Sequence, residues 1–372
     1  MKRKVLKSSL FIFTLVSLTT IGVNATELST VTSSTNEVKT EFTVESTTDT
    51  MTKEIKETVP SETVFTAEES ESKEEISDTK DTTESLDTNS NDNKEIEELY
   101  EYAISIGKIK RDLYSLDAFT KNYSITLEQF PDTKKLLNFT GEFTEWFEQI
   151  NFGAFPNGEG HAFDEKQEEL GGPIPRSGAT MSAAQRRNAN KFKKDLRKGD
   201  ILIINGLPGH AAIATTNNYI LEMSGGGNIN SWLNTGIENN NHQFNAENWL
   251  AGNWEQDART GGPGQLGYIK DWIQIWRVPD SSIANQVANY ADRHYWSTTG
   301  SYKKNINLKY LIRPDLYSIN PNYCSKFVYN AFWYGSGSAP VMQSYSNYSF
   351  IYPADLPFNF QRKYMPYCVG TY

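Results

Sequence analysis

Short apolar strands set between tight turns, with apolar-faced helices around them, predict a domain that mixes helices and strands. Three stretches carry this prediction. Ile201-Leu202-Ile203-Ile204 is a compact apolar run between two turn sequences, Lys198-Gly199-Asp200 and Leu207-Pro208-Gly209. His210–Thr215 and Tyr219–Met223 are two further strands, joined as a hairpin by Thr216-Asn217-Asn218. Phe327, Val328, Ala331 and Phe332 then recur at the spacing of an inward-facing helix.

From the N-terminus, the 372 residues suffice for one large domain or two ordinary ones. Residues 1–25 read as an export signal: Lys2, Arg3, Lys4 and Lys7 precede a mostly apolar Leu10–Leu18, and Val23-Asn24-Ala25 suits cleavage. Thr14 and Ser17 interrupt the apolar run, which is too short to span a bilayer, so the expectation is a secreted or cell-surface protein without a stable membrane span. Residues 26–93 carry 18 acidic and 5 basic side chains within a Ser/Thr-rich composition that cannot bury a core, and read as a disordered tail. That tail therefore carries −13 against a formal charge of −10 for the chain, the first 25 residues carrying +4 and the rest about −1. The remainder has no basic stripe, which argues against nucleic acid as a partner.

Residues 94–180 read as a helical lead-in followed by loop. Ile96, Leu99, Tyr100, Ala103, Ile104 and Ile106 have helical spacing, and further helices are expected near 133–137 and 143–150. Residues 151–180 are rich in Gly and Pro, and Glu159, His161 and Asp164 there fit no recognised metal site, so they read as a solvated loop. Met181–Arg197 is expected to be a helix. Residues 225–267 are an Asn- and Gly-rich insertion that contains His242, read as solvated, and Trp232, Trp249 and Trp254, possible substrate contacts or loop anchors. Asp271–Val278 alternates like a two-faced strand. Asp280 is placed to cap a helix running to about Tyr295, along which His294 reads as a packed residue.

Pro321 suits the first turn of the last helix, whose positive dipole end would favour a thiolate at Cys324. A cysteine hydrolase needs a nucleophile, a base and a polar group that orients the base. Cys324, His210 and Glu222 can fill these roles. His210 opens a strand after a glycine turn, and Glu222 interrupts an apolar strand where an unpartnered carboxylate is costly. The two share a face if the hairpin loop is the three-residue Thr216-Asn217-Asn218 or a bulge shifts the register, and lie on opposite faces if it is the two-residue Asn217-Asn218. A buried structural cysteine and a Cys324–Cys368 disulfide stand as rival readings.

The order of histidine strand, acidic strand and cysteine helix resembles the circularly permuted, papain-like branch of the NlpC superfamily, particularly its YiiX- and YebB-like members. Lys198-Gly199-Asp200-Ile201-Leu202, Gly209-His210-Ala211-Ala212-Ile213, Tyr219-Ile220-Leu221-Glu222, Trp276-Arg277-Val278, Tyr323–Val328 and Ile351-Tyr352-Pro353-Ala354-Asp355-Leu356 carry the likeness. It covers about the second half of the chain. The resemblance implies an α+β papain-like domain over 181–372, with an antiparallel sheet or small barrel on the cysteine helix. It also implies a Cys324–His210–Glu222 triad, an oxyanion site at the Cys324 backbone N–H, and neither metal nor organic cofactor. With export, it points to an amide in cell-wall peptide. A lipid-directed acyl hydrolase or acyltransferase with the same triad is the alternative, to be favoured by an apolar groove beside Cys324. A non-catalytic exported protein with the disulfide is the other.

Overall fold

A computed structural model describes residues 88–136, 139–163, 166, 181–206, 208–226, 230–252 and 267–372. The stretch expected to be an export signal, the acidic segment as far as residue 87, Asp164 and Trp254 lie outside the described residues. The fold is α+β, built on a six-stranded antiparallel sheet.

The strands are β1 (Ile201–Ile204), β2 (His210–Ala214), β3 (Tyr219–Met223), β4 (Asn241–Asn245), β5 (Ile273–Arg277) and β6 (Tyr367–Thr371), in spatial order β4-β3-β2-β1-β5-β6. The helices are α1 (Thr88–Ser105), α2 (Leu116–Leu136), α3 (Phe143–Gln149), α4 (Ala183–Asp195), α5 (Ala246–Ala251), α6 (Ser281–Tyr295) and α7 (Cys324–Gly335).

Both faces of the central strands are covered, as their near-continuous apolar sequences require. Ile201, Ile203, Ala211, Ile213, Leu221 and Met223 face a core that contains Val287 of α6 and Phe327, Val328, Ala331 and Phe332 of α7. Leu202, Ile204, Ala212, Ala214 and Ile220 face a second core with Phe192 of α4 and Trp249 of α5. The sheet is therefore packed on the cysteine helix, but it is also covered behind.

Local rules explain several boundaries. Asp280 accepts hydrogen bonds from the N–H groups of Ser282 and Ile283, capping α6, and Ser182 and Gln185 form a capping box on α4. Pro321 departs from expectation. Tyr323 is the residue flanking α7, and Pro321 lies outside the helix, after a cis peptide bond. The lead-in is also more extensive than its sequence suggests: α1 starts at Thr88 rather than near Lys94, and α2 covers a stretch that shows little helical pattern before residue 133. Its core is a cluster of aromatic side chains, with Phe119, Phe147 and Phe152 in mutual contact and Phe143 stacked on Phe147.

Residues 151–163 are not a solvated loop. Glu159 accepts hydrogen bonds from Gln274 of β5 and Thr371 of β6 at 2.9 and 2.8 Å, and His161 stacks on Trp272 at 4.0 Å. The polar side chains that suggested solvent instead fasten this segment to the sheet. Among the described residues, no helix is long and apolar enough to cross a membrane.

Candidate active site

Three elements far apart in sequence deliver Cys324, His210 and Glu222 to one place. Gly209, at φ +87°, turns the chain into β2; a side chain there would approach the Ile204 carbonyl oxygen to 3.0 Å. His210 therefore opens the strand at the end of the sheet. Ala214 pairs with Ile220 and Ala212 with Glu222, so the loop Thr216-Asn217-Asn218 has the odd length that puts Glu222 on the face of His210. The His210 Nε2 lies 3.0 Å from Glu222 Oε2. Cys324 is the first residue of α7, on the opposite side of the sheet, and its sulfur interacts with the His210 ring at the strand's open end. With Nε2 held by Glu222, the ring presents Nδ1 to the sulfur.

The electrostatics favour an ion pair. Burial opposes charge on His210, but the Glu222 carboxylate and the Cys324 sulfur outweigh it and push the imidazole up to about 10. Burial also opposes the Cys324 thiolate; the His210 hydrogen bond and charge, with the Ala211 N–H, reverse this and hold the thiol below its ordinary value. Glu222 is wholly buried, which by itself would raise its carboxyl. The positive His210 and hydrogen bonds from His210, Trp249 and Ser224 overcome that and keep it ionised. The Cys324 backbone N–H, at the first helical position, has no acceptor within the helix and is available to a developing oxyanion.

Several neighbours of Glu222 escaped the sequence reading. The Trp249 Nε1–H donates to Oε2 at 2.8 Å, and the Ser224 hydroxyl donates to Oε1 at 2.7 Å. The Tyr268 hydroxyl reaches Oε1 at 3.4 Å, and its ring lies parallel to that of His210. Trp249 is thus a buried donor to the carboxylate and does not line the cavity described below, whereas Trp232 does. His242 is likewise not solvated: it lies in β4, buried, with Nδ1 2.8 Å from Ser224 Oγ. His294 is exposed and stacks on Tyr290, away from the site. Tyr310 is buried beside Cys324, and burial together with the Cys324 charge pushes its phenol well up. These residues carried no signal beyond being aromatic or polar in irregular sequence.

The motif at Ile351 is tied to the head of α7. The Ser325 hydroxyl donates to the Ile351 carbonyl at 2.6 Å, and the Ile351 N–H donates to the Tyr323 hydroxyl at 3.0 Å. Cys324 and Cys368 are not joined. Burial and the nearby Glu159 charge push the Cys368 thiol up to about 11, so the two thiols differ sharply in character. Among the described residues, no group of three or more His, Cys, Asp or Glu side chains is arranged to hold a metal ion.

Cys324 and His210 open into a cavity of about 390 Å³. Its walls are largely apolar and aromatic, including Trp232, Tyr310, Phe350 and Tyr352, with Phe139 and Trp146 contributed by the lead-in.

Fold and site together define an α+β protein with a buried Cys–His–Glu constellation at the head of a helix. The chain is 41% identical over 182 residues to an uncharacterised 30.3 kDa protein of Bacillus thuringiensis. That similarity covers 48% of this chain and 58% of the relative. No family model matches the chain, and no solved structure matches it.

Proposed function

We propose that this protein is a cysteine hydrolase that cleaves an amide or ester bond through Cys324, His210 and Glu222. The observation that carries the reading is the convergence of these three side chains from two strands and a helix, with His210 bridging the other two. The Cys324 thiolate attacks the substrate carbonyl, and the oxyanion forms against the Cys324 N–H. The His210 imidazolium then protonates the leaving amine or alkoxide, leaving a thioester on Cys324. Water, deprotonated by His210, attacks the thioester, and the departing thiolate restores the ion pair. Glu222 orients the imidazole and supports its charge.

The strand–strand–helix order of the site, in an antiparallel sheet packed on the cysteine helix, agrees with the permuted papain-like arrangement that the sequence resembles. With the expected export signal, this supports a cell-wall peptide amide as substrate. One observation favours a second reading. The apolar, aromatic cavity beside Cys324 suits the acyl chain of a lipid-like substrate, processed by hydrolysis or acyl transfer with the same triad.

The test is turnover of two substrate sets, cell-wall stem peptides and fatty acyl esters, with Cys324→Ala as the blank. Product from either set that disappears in the blank supports the hydrolase and selects the substrate class. Equal background rates in both proteins, together with an ordinary pH dependence of Cys324 alkylation, overturn it.

A further inference from the structure

Glu222 is fully buried, and its two oxygens are not held alike. Oε2 receives hydrogen bonds from His210 and Trp249, which belong to the base and to the wall behind it. Oε1 is held at short distance by Ser224, which follows β3 and continues its register to the position across from His210. An ionised carboxylate only accepts, so the Ser224 O–H must donate to Oε1. The serine proton is then committed, and the contact between Ser224 Oγ and His242 Nδ1 at 2.8 Å requires Nδ1 to be the donor. This fixes the His242 tautomer: Nδ1–H faces Ser224, and the ring is neutral, since burial and the nearby Lys304 charge push it down to about 4. His242 is brought there by register, because Glu222 and His242 are direct partners across β3 and β4.

We propose that Ser224 and His242 are positioning residues for the candidate nucleophile, acting as a one-way donor chain, His242 Nδ1–H to Ser224 Oγ–H to Glu222 Oε1. The chain locks the carboxylate rotamer and keeps it charged, so that Oε2 can hold His210 as an imidazolium beside Cys324. This inference rests on the hydrolase reading of the same site and adds the two residues that make its third member effective. It also gives the polar strand β4 a role in the site, since β4 carries the terminal donor.

The experiment is a pH titration of Cys324 thiolate formation, followed by absorbance near 240 nm and by alkylation located with mass spectrometry. The proteins are the native chain, Ser224→Ala, Ser224→Thr, His242→Asn and His242→Phe. Asparagine places an N–H close to the position of imidazole Nδ1–H, whereas phenylalanine keeps the ring volume and removes the donor. Ser224→Ala and His242→Phe are expected to raise the Cys324 midpoint by about one pH unit, a tenfold change in the protonation equilibrium. Ser224→Thr and His242→Asn are expected to stay near the native midpoint. A packing role for His242 predicts the reverse ranking, with phenylalanine native-like and asparagine impaired, and that result overturns the chain. A depressed native midpoint left unmoved by Ser224→Ala, the smallest change, overturns this inference while leaving the hydrolase reading intact. A native midpoint at the ordinary thiol value overturns both.

Discussion

Glu222 faces Ala212 across the β2–β3 ladder, yet its Oε2 bonds to His210, one pleat further along, at 3.0 Å. The diagonal contact works because residues i and i+2 of a strand share a face, and because both side chains sit on the surface closed by Trp249. His210 carries its positive charge through this contact. Glu222→Gln keeps the shape and removes the charge. Cys324 alkylation at pH 6 to 7 should then slow by about tenfold or more, the factor that accompanies a rise of about one pH unit in the thiol midpoint. A native rate in Glu222→Gln would mean that the carboxylate does not set the charge of the imidazole.

How far this site was legible depended on whether the signal was local. The apolar run of β1 and the Asp280 cap obey rules that act over a few residues, and the structure follows them, whereas the hairpin loop could have two or three residues by sequence and the pairing register makes it three. Pro321 also obeyed a local rule, but the chain enters α7 only after Tyr323. Strand β4 was invisible because Asn241-His242-Gln243-Phe244-Asn245 lacks apolar alternation. Its buried amides are satisfied by distant groups, Asn241 by the Ile306 carbonyl at 2.8 Å and Gln243 by Thr215 at 2.7 Å. Trp249 and Tyr268 reach Glu222 only through tertiary packing, which no spacing in the sequence encodes.

The two cysteines should separate cleanly under alkylation. Cys324 is paired with His210, whereas the Cys368 thiol is pushed up to about 11 by burial and by Glu159. Thiolate is the reactive form. Limited iodoacetamide at pH 7 should label Cys324 and leave Cys368 unmodified, with His210→Ala abolishing the selectivity. Equal labelling of both cysteines in the native protein would count against the ion pair.

Two of the short motifs behind the sequence resemblance form one ion pair. Arg277, in Trp276-Arg277-Val278, donates to both oxygens of the buried Asp200, in Lys198-Gly199-Asp200, at 2.7 and 2.8 Å. Its Nη2 also donates to the Asp195 carbonyl at the end of α4. Arg277→Met would strand a buried carboxylate, and breaking such a pair costs about 3–5 kcal/mol. Urea denaturation should show that loss, and Asp200→Asn combined with Arg277→Met should recover part of it. A single variant within about 0.5 kcal/mol of native, the range of ordinary surface substitutions, would refute a structural role for the pair.

The pH dependence of stability follows from the same groups that define the site. His210 titrates at about 10 in the fold against an ordinary 6.5, so its contribution is complete below pH 6.5 and is lost as pH rises toward 10. Cys324 is shifted the other way from an ordinary 9.0, so its contribution is complete above pH 9 and is lost as pH falls through its folded value. At pH values above 6.5 and above the folded Cys324 value, up to pH 9, the folded pair holds one proton on the imidazole, and the unfolded pair holds one on the sulfur. The proton counts match, and the pair adds no slope. Cys324→Ser removes the thiol and leaves His210 with Glu222, so its stability should fall with pH across that range, where the native chain's stays level. Thermal melts of both proteins across this range should therefore diverge steadily, the native chain remaining the more stable. A constant difference in Tm over the whole span up to pH 9 would show that Cys324 and His210 do not share a proton in the folded state.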